Sequence, residues 1–306
     1  MIVTVTLNTA LDLTYRVPAL TPRASHRVTQ VIERPGGKGL NVARVLAALG
    51  YETVATGFAG GATGAVLRER LAATPVRDEL VETAGPTRRT VAVVDAADGD
   101  TTQLNEPGPN VTAAEWDAFR DRFAALLDGA AAVALCGSLP PGIHVGAYAE
   151  LVRLARAAAV PVLLDTSGEP LRRGIAARPD LVKPNADELA QLTGAREPRR
   201  ATLDARRRGA HAVISSLGPE GLLAATPEGL WRAAPPAPVK GNPTGAGDSA
   251  VAGLLAGLVD RTPWPDRLTR AVALSAATVL SPVAGEFDRA AYEELLTRVK
   301  VTEETP

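Results

Sequence analysis

Residues 242–249 read Asn242-Pro243-Thr244-Gly245-Ala246-Gly247-Asp248-Ser249, and an apolar helical stretch over 250–258 follows without a break. Two glycines around one small residue, just before a helix, let backbone N–H groups converge on an anion. The positive end of the helix dipole adds to that preference. A carboxylate in the same turn then needs a reason, because Asp248 repels a bound phosphate. Two readings stand. Asp248 accepts a proton from an attacking hydroxyl while the amides of Gly245, Ala246 and Gly247 hold a transferring phosphoryl group. Alternatively it complements the helix amino end, as Asp commonly does.

A second glycine-rich segment, Pro35-Gly36-Gly37-Lys38-Gly39-Leu40-Asn41-Val42-Ala43, opens a helix predicted over 40–49, with Gly50 placed for a left-handed C-cap. Bare backbone at Gly36, Gly37 and Gly39 gives a ligand room, and Lys38 and Asn41 offer a cation and an amide. The plainer reading is a loop that starts a helix, with Asn41 in the first turn. No Gly-Lys-Ser/Thr triplet is present for a Walker A loop, and 57–64 lacks G-x-G-x-x-G spacing. Gly137-Ser138 is no nucleophile elbow, since Cys136 rather than glycine stands two before the serine. His26, His144 and His211 show no metal-ligand spacing.

Around these loops the pattern alternates strand and helix. Apolar, often β-branched runs at 3–7, 53–58, 133–136, 160–165, 181–183 and 212–216 predict strands. Helices are expected over 40–49, 63–71, 113–127, 145–158, 246–258, 266–280 and 289–299. This is an α/β fold with a mostly parallel sheet covered on both faces. Two stretches break the rule: 13–17 with 27–33, and 90–95 with 101–104, the latter joined by the hairpin-favouring Asp98-Gly99. They predict a small antiparallel sheet projecting as a lid. The core is then 1–10, 36–86 and 106–306, and the lid 11–35 and 87–105. Val28, Val31, Val91 and Val93 on the lid need cover, which predicts a homodimer formed through it.

The bulk numbers restrict the function. In 306 residues the net charge is −1, which argues against nucleic acid as a partner. Hydrophobic residues make up 46%, enough for a sizeable core. Cys136 is the sole cysteine, so no internal disulfide forms. The amino terminus alternates like a strand and lacks a signal peptide's basic start, and Asp128-Gly129 interrupt the apolar run 124–135 well short of a membrane span. The reading is a cytoplasmic protein with no membrane partner. Lysines are only Lys38, Lys183, Lys240 and Lys300, and the first two fall in or beside the motifs.

Taken in order, the glycine loop at 35–43, Gly137-Ser138-Leu139-Pro140-Pro141-Gly142, Asp165-Thr166-Ser167-Gly168, Lys183-Pro184-Asn185 with Glu188, Ser216-Leu217-Gly218 and the 244–248 run resemble the signature regions of PfkB/ribokinase carbohydrate kinases over essentially the whole chain. Thr6-Leu7-Asn8, Ala10-Leu11-Asp12-Leu13 and Thr87-Arg88 resemble the hexose-phosphate branch: 1-phosphofructokinases, tagatose-6-phosphate kinases and minor 6-phosphofructokinases. The resemblance implies a ribokinase-like three-layer sandwich with a small β-sheet lid. It also implies ATP with Mg²⁺ as cofactors and a sugar phosphate as the small-molecule partner.

The same resemblance implies roles. Asp248 is the base, and Gly245, Ala246 and Gly247 form the anion hole. Lys183, Asn185, Ser216, Leu217, Gly218 and Gly221 belong to the nucleotide site with Gly247, and Glu188 holds magnesium through water. Asp12, Gly37 and Asn41 hold sugar hydroxyls, while Lys38, Arg27 and Arg88, with help from Ser138, take the substrate phosphate. For the two arginines the plain alternative is a solvated strand face. Asn242-Pro243 resembles tagatose-6-phosphate kinases, and Thr90 stands where 1-phosphofructokinases often carry Asn. The expected activity is 1-phosphofructokinase, with tagatose-6-phosphate kinase or 6-phosphofructokinase as alternatives. A non-catalytic sugar-phosphate-binding regulator is the alternative of another class, and it leaves Asp248 unexplained.

Overall fold

The structure is a computed structural model that describes residues 1–281 and 286–304. In chain order the first part holds β1 (Ile2–Thr6), β2 (Ala10–Val17), β3 (Gln30–Gly36), α1 (Lys38–Ala48), β4 (Thr53–Gly60) and α2 (Gly61–Ala72). Then come β5 (Arg77–Thr83), β6 (Arg88–Asp95), β7 (Thr101–Asn105), α3 (Ala113–Leu127), β8 (Ala132–Cys136), α4 (Ala147–Ala157) and β9 (Val162–Asp165). The chain continues through α5 (Gly168–Ala176), β10 (Leu181–Val182), α6 (Ala186–Thr193), α7 (Pro198–Arg207), β11 (Ala212–Ser216), β12 (Leu222–Thr226) and β13 (Gly229–Ala234). It closes with α8 (Ala246–Val259), α9 (Trp264–Leu280), α10 (Arg289–Leu296) and β14 (Lys300–Glu304).

Ten strands form one sheet in the order β14-β13-β12-β11-β10-β9-β8-β1-β4-β5. From β5 to β11 neighbours run parallel, and β12, β13 and β14 extend the sheet antiparallel. Alternate side chains of one strand serve opposite faces, as the period of two requires. Val133 and Leu135 of β8 join Phe119, Tyr148 and Leu151 from α3 and α4, while Ala132, Ala134 and Cys136 face α8 and α9. Both faces are therefore buried, and the strands are largely apolar, with Thr4, Thr6, Thr53, Thr56 and Asp165 the buried polar residues on β1, β4 and β9. The three layers follow from that.

The helix ends obey local chemistry. Thr112 with Glu115 makes a capping box on α3, and Asn185 with Glu188 makes one on α6. Gly50 closes α1 at φ 93°, in the left-handed region expected of it. Strands over 222–226, 229–234 and 300–304 extend the sheet beyond the sequence reading, where the Ala-Pro-rich tail of β13 reads as a loop.

A second sheet runs β3-β2-β6-β7. The two helix-free strand pairs of the sequence do build it, but it is mixed rather than antiparallel. Its central pair, β2 with β6, is parallel, with Ala10 opposite Arg88 and Asp12 opposite Thr90. The cause is topological: β2 follows β1 and β6 follows β5, and these two parallel strands both deliver the chain to the same edge of the large sheet. β3 begins at Gln30, so Arg27 lies in the loop before it rather than on a strand.

Candidate active site

The carboxyl edge of the parallel strands, where ligands settle in open α/β sheets, gathers most of the motif residues. Register explains part of this. Cys136 is opposite Asp165, and Val182 is opposite Leu164, which brings Lys183 beside Asp165. Helices α1, α6 and α8 begin near these residues, and the first turn of a helix has backbone N–H groups without an intrahelical partner.

Gly245 caps α8 at φ 85°, a left-handed conformation that glycine adopts without strain. Asp248, in the first turn, is 7% exposed, and its Oδ2 accepts a hydrogen bond from Asn41 Nδ2 at 2.8 Å. That bond joins the amino ends of α1 and α8. Arg44 Nη2 donates to Asn41 Oδ1 at 2.7 Å, which fixes the amide so that its NH₂ faces the carboxylate. Burial pushes the Asp248 carboxyl up to about 6; the Lys38 charge and the Asn41 bond pull it back, and the neighbouring Asp165 charge adds to the rise. A carboxylate in this range is ionised at neutral pH and basic enough to take a proton. Upstream, Asn242 Oδ1 accepts from Thr244 N at 3.0 Å, an Asx turn that closes the loop before the glycines.

On one side of α8 lies a cavity of about 1020 Å³. Asn185, Ser216, Leu217, Gly218, Gly221 and Gly247 all line it, so these expected nucleotide residues meet at the first turn of α8, while Lys183 is not among the lining residues. A Cβ on Gly247 would find nothing closer than Lys183 Nζ, 3.6 Å away, so this turn is open on the ammonium side. Val272, Ser275, Ala276 and Val279 of α9 and the Val239–Gly241 loop complete the wall. Sequence reasoning missed these, because apolar positions on a helix read as core.

On the other side the sugar-end residues form a connected group. Thr90 Oγ1 donates to Asp12 Oδ1. Burial raises the Asp12 carboxyl, against the bond from Thr90 and the charges of Arg44 and Arg88. Arg88 Nε donates to Asn8 O and its Nη1 to Glu106 O, each at 3.2 Å, and Asn8 Nδ2 donates to Ser138 Oγ at 3.1 Å. Lys38 Nζ sits 3.3 Å from Asp165 Oδ1, and its charge also feels Asp248 and Glu188.

Three expectations shift. The glycines of 36–39 are required by packing as well, although Gly37 itself stays half-buried. A Cβ on Gly36 would lie 2.0 Å from Asp12 Cγ, one on Gly37 2.6 Å from Thr6 Cγ2, and one on Gly39 2.4 Å from Thr6 Oγ1. They bring β1 and β2 against α1. Second, Lys38 pairs with Asp165, Arg88 donates to backbone oxygens, and Arg27 is exposed in the loop before β3. Third, Asn185 and Glu188 are each other's partners, with Glu188 N donating to Asn185 Oδ1 at 2.8 Å and Asn185 N to Glu188 Oε2 at 2.9 Å.

A family model described as pfkB family carbohydrate kinase matches residues 3–289. The chain belongs to the pfkB family of carbohydrate kinases. A 1-phosphofructokinase of Rhodobacter capsulatus is 42% identical over 83% of this chain and 82% of its own. A tagatose-6-phosphate kinase of Staphylococcus epidermidis is 31% identical over 99% of this chain and 100% of its own. The crystal structure of phosphofructokinase-2 from Escherichia coli in complex with potassium superposes with a TM-score of 0.91 at 31% identity, covering 97% of this chain and 98% of that one. As a pfkB carbohydrate kinase the protein uses ATP as phosphoryl donor.

Proposed function

We propose that this carbohydrate kinase moves the γ-phosphoryl group of ATP to a primary hydroxyl of a ketohexose phosphate. Fructose 1-phosphate is the first acceptor, with tagatose 6-phosphate and fructose 6-phosphate after it. One observation carries the reading: the buried Asp248 carboxylate, bonded to Asn41, stands where the amide turn of α8 separates the large cavity from the Asp12–Arg88–Ser138 group. The acceptor hydroxyl loses its proton to Asp248 as its oxygen bonds to the γ-phosphorus. The bond to the bridging oxygen breaks, and ADP leaves. Backbone N–H groups of Gly245 and Gly247, with Lys183 beside them, hold the charge on the moving group, while Ala246 N, expected to join them, donates to Pro243 O at 3.1 Å and closes the turn.

Magnesium, when bound with ATP, neutralises phosphate charge. No cage of three or more His, Cys, Asp or Glu side chains exists among the described residues. Magnesium commonly takes one or two carboxylates with phosphates and water, and Glu188 and Asp187 at the start of α6 fit that donor set, Asp187 on the wall of the large cavity. Half-buried Arg88 uses only Nε and Nη1 on backbone oxygens, which leaves donors of its five N–H groups for a substrate phosphate.

The four-stranded sheet is read as a lid and as the dimer surface. Val31, Leu104 and Val28 are 55%, 60% and 41% exposed, and a second copy of the chain is the cover proposed for them. No described helix is long and apolar enough to cross a membrane. The relative of 42% identity favours fructose 1-phosphate, while Asn242-Pro243 keeps tagatose 6-phosphate in second place. A coupled ADP-release assay across hexoses, hexose phosphates and nucleosides tests the assignment. Highest kcat/KM on a ketohexose phosphate is expected. Preference for free fructose or a nucleoside over every hexose phosphate overturns the substrate.

A further inference from the structure

Asp165 ends β9 at the carboxyl edge of the sheet, and its side chain is 1% exposed. A buried aspartate with a purely structural duty is ordinarily satisfied by backbone donors. Asp180 nearby behaves that way, accepting from Val162 N at 2.8 Å. Asp165 has no such bond among the described residues. Its Oδ1 faces Lys38 Nζ at 3.3 Å and Lys183 Nζ at 3.8 Å, and its Oδ2 is buried with no hydrogen-bond partner among the described residues.

The two lysines come from separate parts of the chain. Lys183 follows β10 and is 4% exposed, a burial that an ammonium tolerates only with a counter-charge. Lys38 is the first residue of α1, where the helix dipole disfavours a cation. One carboxylate answers both needs, and both ammonium groups then stand by the amide turn of α8. Lys183 Nζ is 3.6 Å from the place a Cβ of Gly247 would occupy, and Lys38 feels the Asp248 charge.

We propose that Asp165 is a positioning residue: it holds the ammonium groups of Lys38 and Lys183 beside the phosphoryl-binding turn before substrates arrive, and acts on the reaction only through them. The proposal rests on the phosphoryl-transfer reading of the site. Lysine side chains carry large rotamer freedom. Cations fixed in advance where charge develops stabilise the transition state without reorganising at the moment of reaction.

The test is a mutant cycle in kcat, with ATP and fructose 1-phosphate or whichever acceptor of the panel turns over fastest. Asp165→Asn is expected to lower kcat about a hundredfold, the scale of a misplaced catalytic group. Its KM for ATP should stay within about threefold. In a Lys183→Met background, and separately in Lys38→Met, adding Asp165→Asn should lower kcat by no more than about threefold, because residues acting as one unit are not additive. Thermal melting reports whether the Asn variant folds. If it does not, Asp165→Glu, which keeps the charge but moves its oxygens by one methylene, goes through the same cycle with the same outcomes. Losses that multiply in both backgrounds, or a loss confined to KM, overturn the proposal. An enzyme that phosphorylates no acceptor would instead refute the functional reading.

Discussion

The two sheets of this kinase are made from similar β-branched sequences and end in opposite circumstances. In the large sheet β1, β4, β8 and β9 are buried at every residue. In the small sheet β7 is exposed at every residue, and β3 at Gln30, Val31 and Glu33. The difference divides the labour of the site. The large sheet and the helices packed on it supply groups held on all sides: Asp248, Lys183, Asp165 and the cavity wall. The small sheet supplies Asp12 and Arg88 from elements with one uncovered face. Groups that must act on developing charge belong on the rigid half. Under the proposed function, those that admit and enclose a sugar sit on the half with one exposed face.

The largest effect is expected on the rigid half. Asp248→Asn should lower kcat about a hundred- to ten-thousand-fold, the usual share of a general base, while ATP affinity stays close to wild type. The folded carboxyl lies near 6, above its unfolded value, so folding disfavours the charged form. Stability from this group therefore falls as pH rises through about 4 to 6 and stays lower above it, by up to about 3 kcal/mol. The Asn variant should accordingly melt higher than wild type at pH 8 and not at pH 4. A loss below about threefold in kcat removes the assignment.

Next comes the small sheet. Arg88→Ala should lower kcat/KM for the phosphorylated sugar about ten- to a hundredfold, the worth of a charge-assisted bond of about 1.5 to 3 kcal/mol. The weak activity expected on free fructose should hardly change. Equal losses on both would assign Arg88 to holding Asn8 and Glu106 rather than to the phosphate.

Smaller still is the effect at α6. Glu188→Gln keeps a residue able to complete the capping box with Asn185, so the fold stays intact while a charge is lost. The magnesium concentration for half-maximal rate should rise about tenfold. An unchanged requirement leaves Glu188 a capping residue only. The smallest catalytic effect belongs to the exposed face: Val31→Lys with Leu104→Lys should turn a dimer into a monomer by light scattering, with nucleotide affinity unaltered. A wild-type monomer at micromolar concentration contradicts the interface outright.

Much of this was legible in the residues. The anion-binding turn, the parallel sheet and the strands of the small sheet follow from glycine placement and period-two patterning. What sequence hid is long-range. Asp165 stands in the sequence only as part of a signature run with no role of its own, and only register with Leu181-Val182 brings Lys183 to it. Gly36 and Gly39 read as ligand space, whereas the Asp12 and Thr6 side chains fill that space. The α9 wall was silent because small apolar residues facing a cavity and facing a core have the same spacing. Asn185 and Glu188 carry two meanings at once, since a capping box and a metal-water site use the same residue types.

The account turns on Asp248 acting as an ionised base in a buried setting, and the pH dependence of kcat with both substrates saturating tests that most directly. Burial sets the carboxyl near 6, and bound phosphates beside it raise it further. The rate should therefore fall on the acid side with a midpoint at about 6 or above, following a single protonation. A rate that stays level down to pH 5 would contradict the account, because Asp248 would then be protonated while the reaction proceeded.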